Sequence, residues 1–200
     1  MNKTFMMCLP SLLFALAALC QQAARASDLN VDMSATILNS TCQATISNNG
    51  VIALGTVGVG YFGGATPSTP DMYQGGGKTF TISLHDCGVG ADTHVTQLHM
   101  NFRPLSGQFA PGSMQIFPNE AAESANAATN VGVIISAVEN NGSVVNVWNQ
   151  NGQSQANFAI TPEQLESSTY TFYTRFQKTG TGDVKPGQFT TNIVVDVYYD

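Results

Sequence analysis

The side chains best suited to hold a metal or attack a substrate are few: three histidines and four cysteines. His85-Asp86-Cys87 places an imidazole, a carboxylate and a thiol side by side, and His94 and His99 follow. A nucleophilic site needs a base within hydrogen-bond reach of its nucleophile, and that base needs a group to orient it. No HExxH helix and no nucleophile elbow accompanies these residues. His94 and His99 are an odd number of positions apart, so a regular strand points them to opposite faces. No catalytic residue, metal ligand or cofactor is assigned, and the chain is not read as an enzyme. A second chemistry is sugar stacking on Trp148, Tyr61, Phe62 or Tyr73, with Asn146, Asn149 and Gln150 as hydrogen-bonding partners. The simpler reading is a core tryptophan and a polar loop.

The cysteines divide into two groups. Lys3, the apolar run 5–19 and Ala24-Arg25-Ala26 make a secretory signal, with cleavage expected after Ala26. The apolar run is short for a membrane span. Leu19 before Cys20 is too large for a lipoprotein signal. Cys8 and Cys20 leave with residues 1–26, so the exported chain keeps Cys42 and Cys87. In an oxidising compartment that pair is expected to form one disulfide. Charged residues make up only 10% of the sequence, whose net charge is -6, and losing Lys3 and Arg25 makes the exported chain more acidic. Nothing in it neutralises a row of phosphates, which excludes nucleic acid as a partner.

Elements that could position any site are short strands. In residues 28–38 the apolar Leu29, Val31, Met33, Ala35 and Ile37 alternate with polar residues. Further strands are expected at 43–46, 51–57, 79–85, 94–102, 131–138, 144–148, 170–177 and 189–199. Asn48-Asn49-Gly50 is a turn between the second and third, and a short helical turn is expected at 161–165. Residues 58–77 and 106–130 read as surface connections within one domain. Spacing and turn residues fit an all-β antiparallel sandwich.

The two ends are unusual. Ile193, Val195, Val197 and Tyr199 form an apolar face on a strand that runs to Asp200. That leaves an edge of unpaired backbone and an uncovered core, which soluble domains avoid. At the other end, 28–38 is a strand with nothing before it to pair with. Such a segment either folds back as the first strand of its own domain or completes the sheet of a neighbour. An interaction of the second kind does not close on itself, so it builds a filament. Alternation alone leaves both open.

Several motifs together resemble the chaperone–usher pilins of the type 1 and P fimbrial class. They are the arm before Cys42, Leu54-Gly55, Phe80-x-Ile82-x-Leu84-x-x-Cys87, Thr129-Asn130-Val131-Gly132-Val133, Tyr173-Thr174-Arg175-Phe176 with Thr179-Gly180 and Pro186-Gly187, and the penultimate Tyr199. The resemblance implies an incomplete immunoglobulin-like sandwich lacking its last strand, with a signal peptide at 1–26, a donor-strand extension at 27–40 and a pilin domain at 41–200. It implies donor side chains Leu29, Val31, Met33, Ala35 and Ile37, with Ala35 where the family prefers glycine. The acceptor edge would be Ile193, Val195, Val197, Tyr199 and Asp200. It also implies neighbouring subunits, a periplasmic chaperone and an outer-membrane usher as partners, and a fimbrium on the cell surface as destination. A host glycan or protein is left open as a partner of the assembled fibre. The expected function is a fimbrial building block that supports adhesion; the alternatives are a one-domain tip adhesin or a terminating subunit.

Overall fold

The computed structural model describes residues 30–37, 42–62, 77–87, 95–121, 126–140, 144–147 and 153–200. Eleven strands are present among them: β1 (Asn30–Ile37), β2 (Gln43–Ile46), β3 (Val51–Ala53), β4 (Lys78–His85), β5 (Gln97–Pro104), β6 (Phe117–Pro118), β7 (Val131–Val138), β8 (Val144–Asn146), β9 (Gln155–Ala159), β10 (Ser167–Lys178) and β11 (Thr190–Tyr199). One sheet runs β3-β1-β11-β5-β9, and the other runs β2-β4-β10-β7-β6, with β8 also on β7. The all-β sandwich is as expected from the sequence.

Alternation drives the packing. On β4, Phe80, Ile82 and Leu84 face inward and are each at most 2% exposed. They meet the inward residues of β5 and β10: the Phe172 ring stacks on Phe80 at 5.5 Å and lies edge-on to Phe102 at 5.1 Å. At one end of the sandwich Phe176 is edge-on to Phe189 at 5.3 Å and to Phe62 at 6.5 Å. Asn48, Asn49 and Gly50 all have positive φ, giving the turn that the Asn-Asn-Gly sequence announced. Helix α1 (Pro162–Glu166) starts where expected, because the Thr161 hydroxyl accepts from the Gln164 amide while the Gln164 side chain accepts from the Thr161 amide.

Two expectations need correcting. Strand β9 is not among the predicted strands, yet it pairs with β5 from Gln97↔Ala159 to Asn101↔Gln155. Residues 106–130 are not only a surface connection. They bury Ala110, Gln115, Ile116, Phe117 and Ala128, and β6 pairs with the start of β7. Ile116 and Ala110 form a small second apolar cluster with Ile134. Boundaries also differ: β3 ends at Ala53, β8 at Asn146, and β5 begins at Gln97 rather than at 94. His94, Trp148 and Tyr73 lie outside the described residues.

Candidate functional site

The feature that sets this sandwich apart is the position of β1. It is an interior strand, pairing with β11 on one side and with β3 on the other. The pairing with β11 is parallel over its whole length, from Asn30↔Thr190 to Ile37↔Val197. That with β3 is antiparallel and spans Asn30↔Ala53 to Asp32↔Val51. The other ladders among the described strands are antiparallel. Strands β3 and β11 do not pair with each other, so the first described strand of the chain fills a groove between them.

The groove is apolar because of the period-2 pattern on β11. Ile193, Val195 and Val197 are each at most 1% exposed, and Ile52 and Leu54 on the β3 side are 3% and 4% exposed. Thr191 continues the inward face, and its buried hydroxyl has no hydrogen-bond partner. Val31 is fully buried, Met33 is 6% exposed, and Ala35 is partly buried against the same core. Gly50 lies against the Met33 carbonyl so closely that a Cβ at position 50 would overlap it. An apolar cavity of about 140 Å³ is lined by Val57, Phe62, Val131, Phe176, Val184 and Phe189.

The candidate donor and acceptor residues are thus brought together within one chain. Leu29 lies outside the described residues, and for Ile37 only the backbone position is described. Tyr199 packs partly buried against the core. The Asp200 carbonyl accepts from the Thr96 and Gln97 amides at 2.8 and 3.1 Å. What sequence reasoning missed is the second wall, Ile52 with Leu54. Its signal was available as alternation directly after the Asn-Asn-Gly turn.

Cys42 and Cys87 are joined by a disulfide with an S–S distance of 2.04 Å. A bonded Cys87 has no thiolate, so the His85-Asp86-Cys87 run has no nucleophile. His85 Nδ1 is 2.9 Å from Asp86 Oδ2 on an exposed surface. Its other ring nitrogen meets the Thr45 hydroxyl at 2.9 Å. His99 stacks on Tyr198 at 4.7 Å and is 2.7 Å from Asn157 Oδ1. No cluster of three metal-ligating side chains occurs among the described residues. Phe62, considered for sugar stacking, belongs to the core. Arg103 donates to Asp196 at 2.7 Å, and this hydrogen bond, with the charge of Asp196, raises the guanidinium pKa above its ordinary range.

The sequence profile of the family described as fimbrial protein matches residues 31–200. The chain belongs to the fimbrial protein family. It is 42% identical over 173 residues to an uncharacterized fimbrial-like protein, YadK, of Escherichia coli strain K12, covering 86% of this chain and 85% of that one. Among solved structures it matches the CupB6 tip adhesin of Pseudomonas aeruginosa at 13% identity and a TM-score of 0.44, over 87% of this chain and 41% of that one. The chain therefore spans less than half the length of that adhesin.

The geometry gives physical reasons for two of the motifs. In Thr129-Asn130-Val131-Gly132-Val133, Asn130 adopts φ +58° and donates to the Asp183 carbonyl at 2.8 Å. A Cβ on Gly132 would lie 2.5 Å from the Phe117 carbonyl oxygen. Glycine there lets β6 approach β7. In Tyr173-Thr174-Arg175-Phe176, the Tyr173 hydroxyl accepts from the Gly77 amide at 3.0 Å. Arg175, 3% exposed, donates to the Phe176 carbonyl and the Gln177 side chain. Among the described residues no helix is long and apolar enough to cross a membrane.

Proposed function

We propose that this chain is a non-catalytic structural subunit of a fimbria, polymerising by donor-strand exchange and supporting adhesion through the assembled fibre. The observation that carries this is the groove between β3 and β11, whose walls, among the described strands, are joined through β1. A sheet filled by a terminal strand can be filled equally by the same strand from a neighbour, since backbone ladders give affinity and alternate side chains give register. In the fibre Leu29, Val31, Met33, Ala35 and Ile37 would enter the next subunit's groove over Ile193, Val195 and Val197. Each fully buried aliphatic side chain contributes about 1.5–3 kcal/mol, so the arm's contacts suffice for a durable joint without nucleotide or metal.

The same groove explains the need for helpers on the way out. With the arm withdrawn, β11 is a long apolar edge, the kind that pairs indiscriminately. A periplasmic chaperone that lends a strand beside β11 would prevent this, and an outer-membrane usher would exchange it for the next arm. Export would begin with removal of residues 1–26 and end at the cell surface.

Deleting residues 27–37 tests the reading. Such a chain keeps an acceptor groove but has no arm to give. When mixed with intact subunits it is expected to end fibres, and their mean length by electron microscopy should fall as its share rises. Fibres of unchanged length containing the deleted chain at internal positions would refute donor-strand exchange.

A further inference from the structure

We propose that the cleft between β7, β9 and β10 is a binding site for a neutral oligosaccharide, held by an aromatic floor and a rim of hydroxyl and amide groups. The inference gives the adhesion part of the reading above a ligand class and does not depend on strand exchange.

The cleft exists because the two sheets stop covering each other at this end of the sandwich. Strand β10 carries its β4 ladder from Ser167 onward, but its β7 ladder begins only at Phe172↔Ala137. Among the described strands, residues 167–171 are therefore laddered on one side alone. Across the gap, β9 is the edge of the other sheet and pairs with β5. Side chains on the inward face, which elsewhere would be core, are left partly open here. Tyr170 stands opposite Ile82 on β4, and Phe158 stands opposite Leu98 on β5. Ile82 and Leu98 are fully buried, whereas Tyr170 and Phe158 are only partly so. Val145 stands opposite Ala137 and is 44% exposed. The resulting space is about 980 Å³, at the upper end of the range of about 300–1,000 Å³ usual for small-molecule clefts. That is room for more than one sugar ring.

The lining has the mixed character that a sugar requires. A pyranose offers an apolar C–H face and a rim of hydroxyls, so its site needs a flat apolar surface bordered by donors and acceptors. The Phe158 and Tyr170 rings lie 4.4 Å apart and inclined at 41°, and Phe158 is set edge-on against Phe172 at 6.2 Å. The two rings are thus fixed before any ligand arrives, which spares the cost of ordering them. Asn140, Gln164, Ser168 and the Tyr170 hydroxyl supply the polar groups. Gln164 Oε1 is committed to the Thr161 amide, so its NH2 group is the donor it offers. The Ser168 hydroxyl has no hydrogen-bond partner, and its capacity to donate and accept is unspent. A wholly apolar ligand would strip water from these groups and return no hydrogen bond. Sugar hydroxyls return them. Charge narrows the class further. Glu139 is the one charged residue in the lining, with no Lys, Arg or His beside it. A sulfated, phosphorylated or carboxylated sugar would meet a carboxylate and no cation, whereas a neutral sugar meets an acceptor for its hydroxyls.

The test screens the exported chain, from residue 27 onward, against an array of neutral oligosaccharides built from hexoses and N-acetylhexosamines, with sialylated and sulfated counterparts alongside. We expect saturable binding of a neutral glycan and weaker binding of its acidic forms. Val145→Arg lays a long side chain across the floor from an exposed position. By titration calorimetry it should weaken binding of that glycan at least tenfold, with the urea midpoint unchanged. Tyr170→Phe keeps the ring and should weaken binding several-fold. Leu105→Arg, the same charge at an exposed site outside the cleft, should bind as the unmodified chain does. Should Val145→Arg not fold, amide chemical shifts on the unmodified chain decide: they should move at 156–159 and 167–171, and shifts confined elsewhere overturn the site. No neutral glycan bound at millimolar concentration, a preference for acidic glycans, or undiminished binding by Val145→Arg also overturns the proposal. So does an extended peptide that occupies the cleft where no sugar does. Each of these failures leaves strand exchange standing, because the fibre-ending effect of deleting residues 27–37 is read without any glycan.

Discussion

Replacing Val31 by alanine probes the arm most directly. Val31 is fully buried, and its backbone sits between Ile52 of β3 and Thr191 of β11. The substitution removes two methyl groups from the core, a transfer loss of about 1.6 kcal/mol at ~0.8 kcal/mol per buried carbon. Partial relaxation around the vacated space adds to this, so the total expected loss is about 2–3 kcal/mol. Urea unfolding of the chain from residue 27 onward, with its disulfide intact, reads it out. At a slope of about 2 kcal/mol per molar urea the midpoint should fall by about 1 M or slightly more. Ser34→Ala, an exposed site on the same strand, is the control and should stay within about 0.5 kcal/mol. A Val31→Ala loss no larger than that of the control would refute the reasoning, because it would mean that the monomer's groove does not hold the arm.

Three other outcomes follow from the same structure. Replacing both Cys42 and Cys87 by alanine opens a loop with a sequence separation of 45; chain entropy sets the cost at about 4 kcal/mol, measurable as a lower urea midpoint. Gly132→Ala pushes a methyl group into the Phe117 carbonyl and the Ile116 side chain, with an expected loss of about 1–3 kcal/mol from overpacking, read by thermal melting. Burial beside Phe158 raises the Tyr170 pKa. Because the folded value is the raised one, this contribution to stability is complete below the unfolded value near 10 and is lost as pH climbs through the folded value. Tyr170→Phe should remove that alkaline decline in melting temperature, and an unchanged decline would show that another group causes it.

Much of the sandwich was legible because its strands carry large apolar residues at period 2. Phe80, Ile82 and Leu84 on β4, or Ile193, Val195 and Val197 on β11, admit one inward face and hence one register. Strand β9 was not legible. Its sequence, Gln155 to Ala159, has one large apolar residue, Phe158, and is a strand because β5 offers it an edge. Burial of Ile116 and Phe117 was equally hidden, since it depends on Gly132 leaving room on β7. For the groove itself, alternation identified the arm and the edge but could not say whose arm fills it. A period-2 strand satisfies any groove of matching depth, in its own chain or in another. In the structure the arm occupies the groove of its own chain, with Val31 and Met33 buried there.

The disulfide acquires a further meaning from its position. An arm can be exchanged only if the domain survives without it, yet withdrawing β1 strips β3 of its described ladder and leaves Ile193, Val195 and Val197 uncovered. Cys42 lies at the root of the arm, five positions after Ile37, and is bonded to Cys87 just beyond the end of β4. Loss of order that spreads from a departing arm therefore meets a covalent stop before it reaches β2, whose ladder to β4 runs from Gln43↔His85 to Ile46↔Ile82. On the other side of the groove, β11 keeps its seven-pair ladder to β5, from Ile193↔Pro104 to Tyr199↔Leu98. The arm's departure thus leaves the second sheet fully paired and β11 still held by β5. A strand that is deeply buried yet separable from the rest of the domain is what the proposed donor-strand exchange requires, and the bond at its root would hold the domain together while the arm is away.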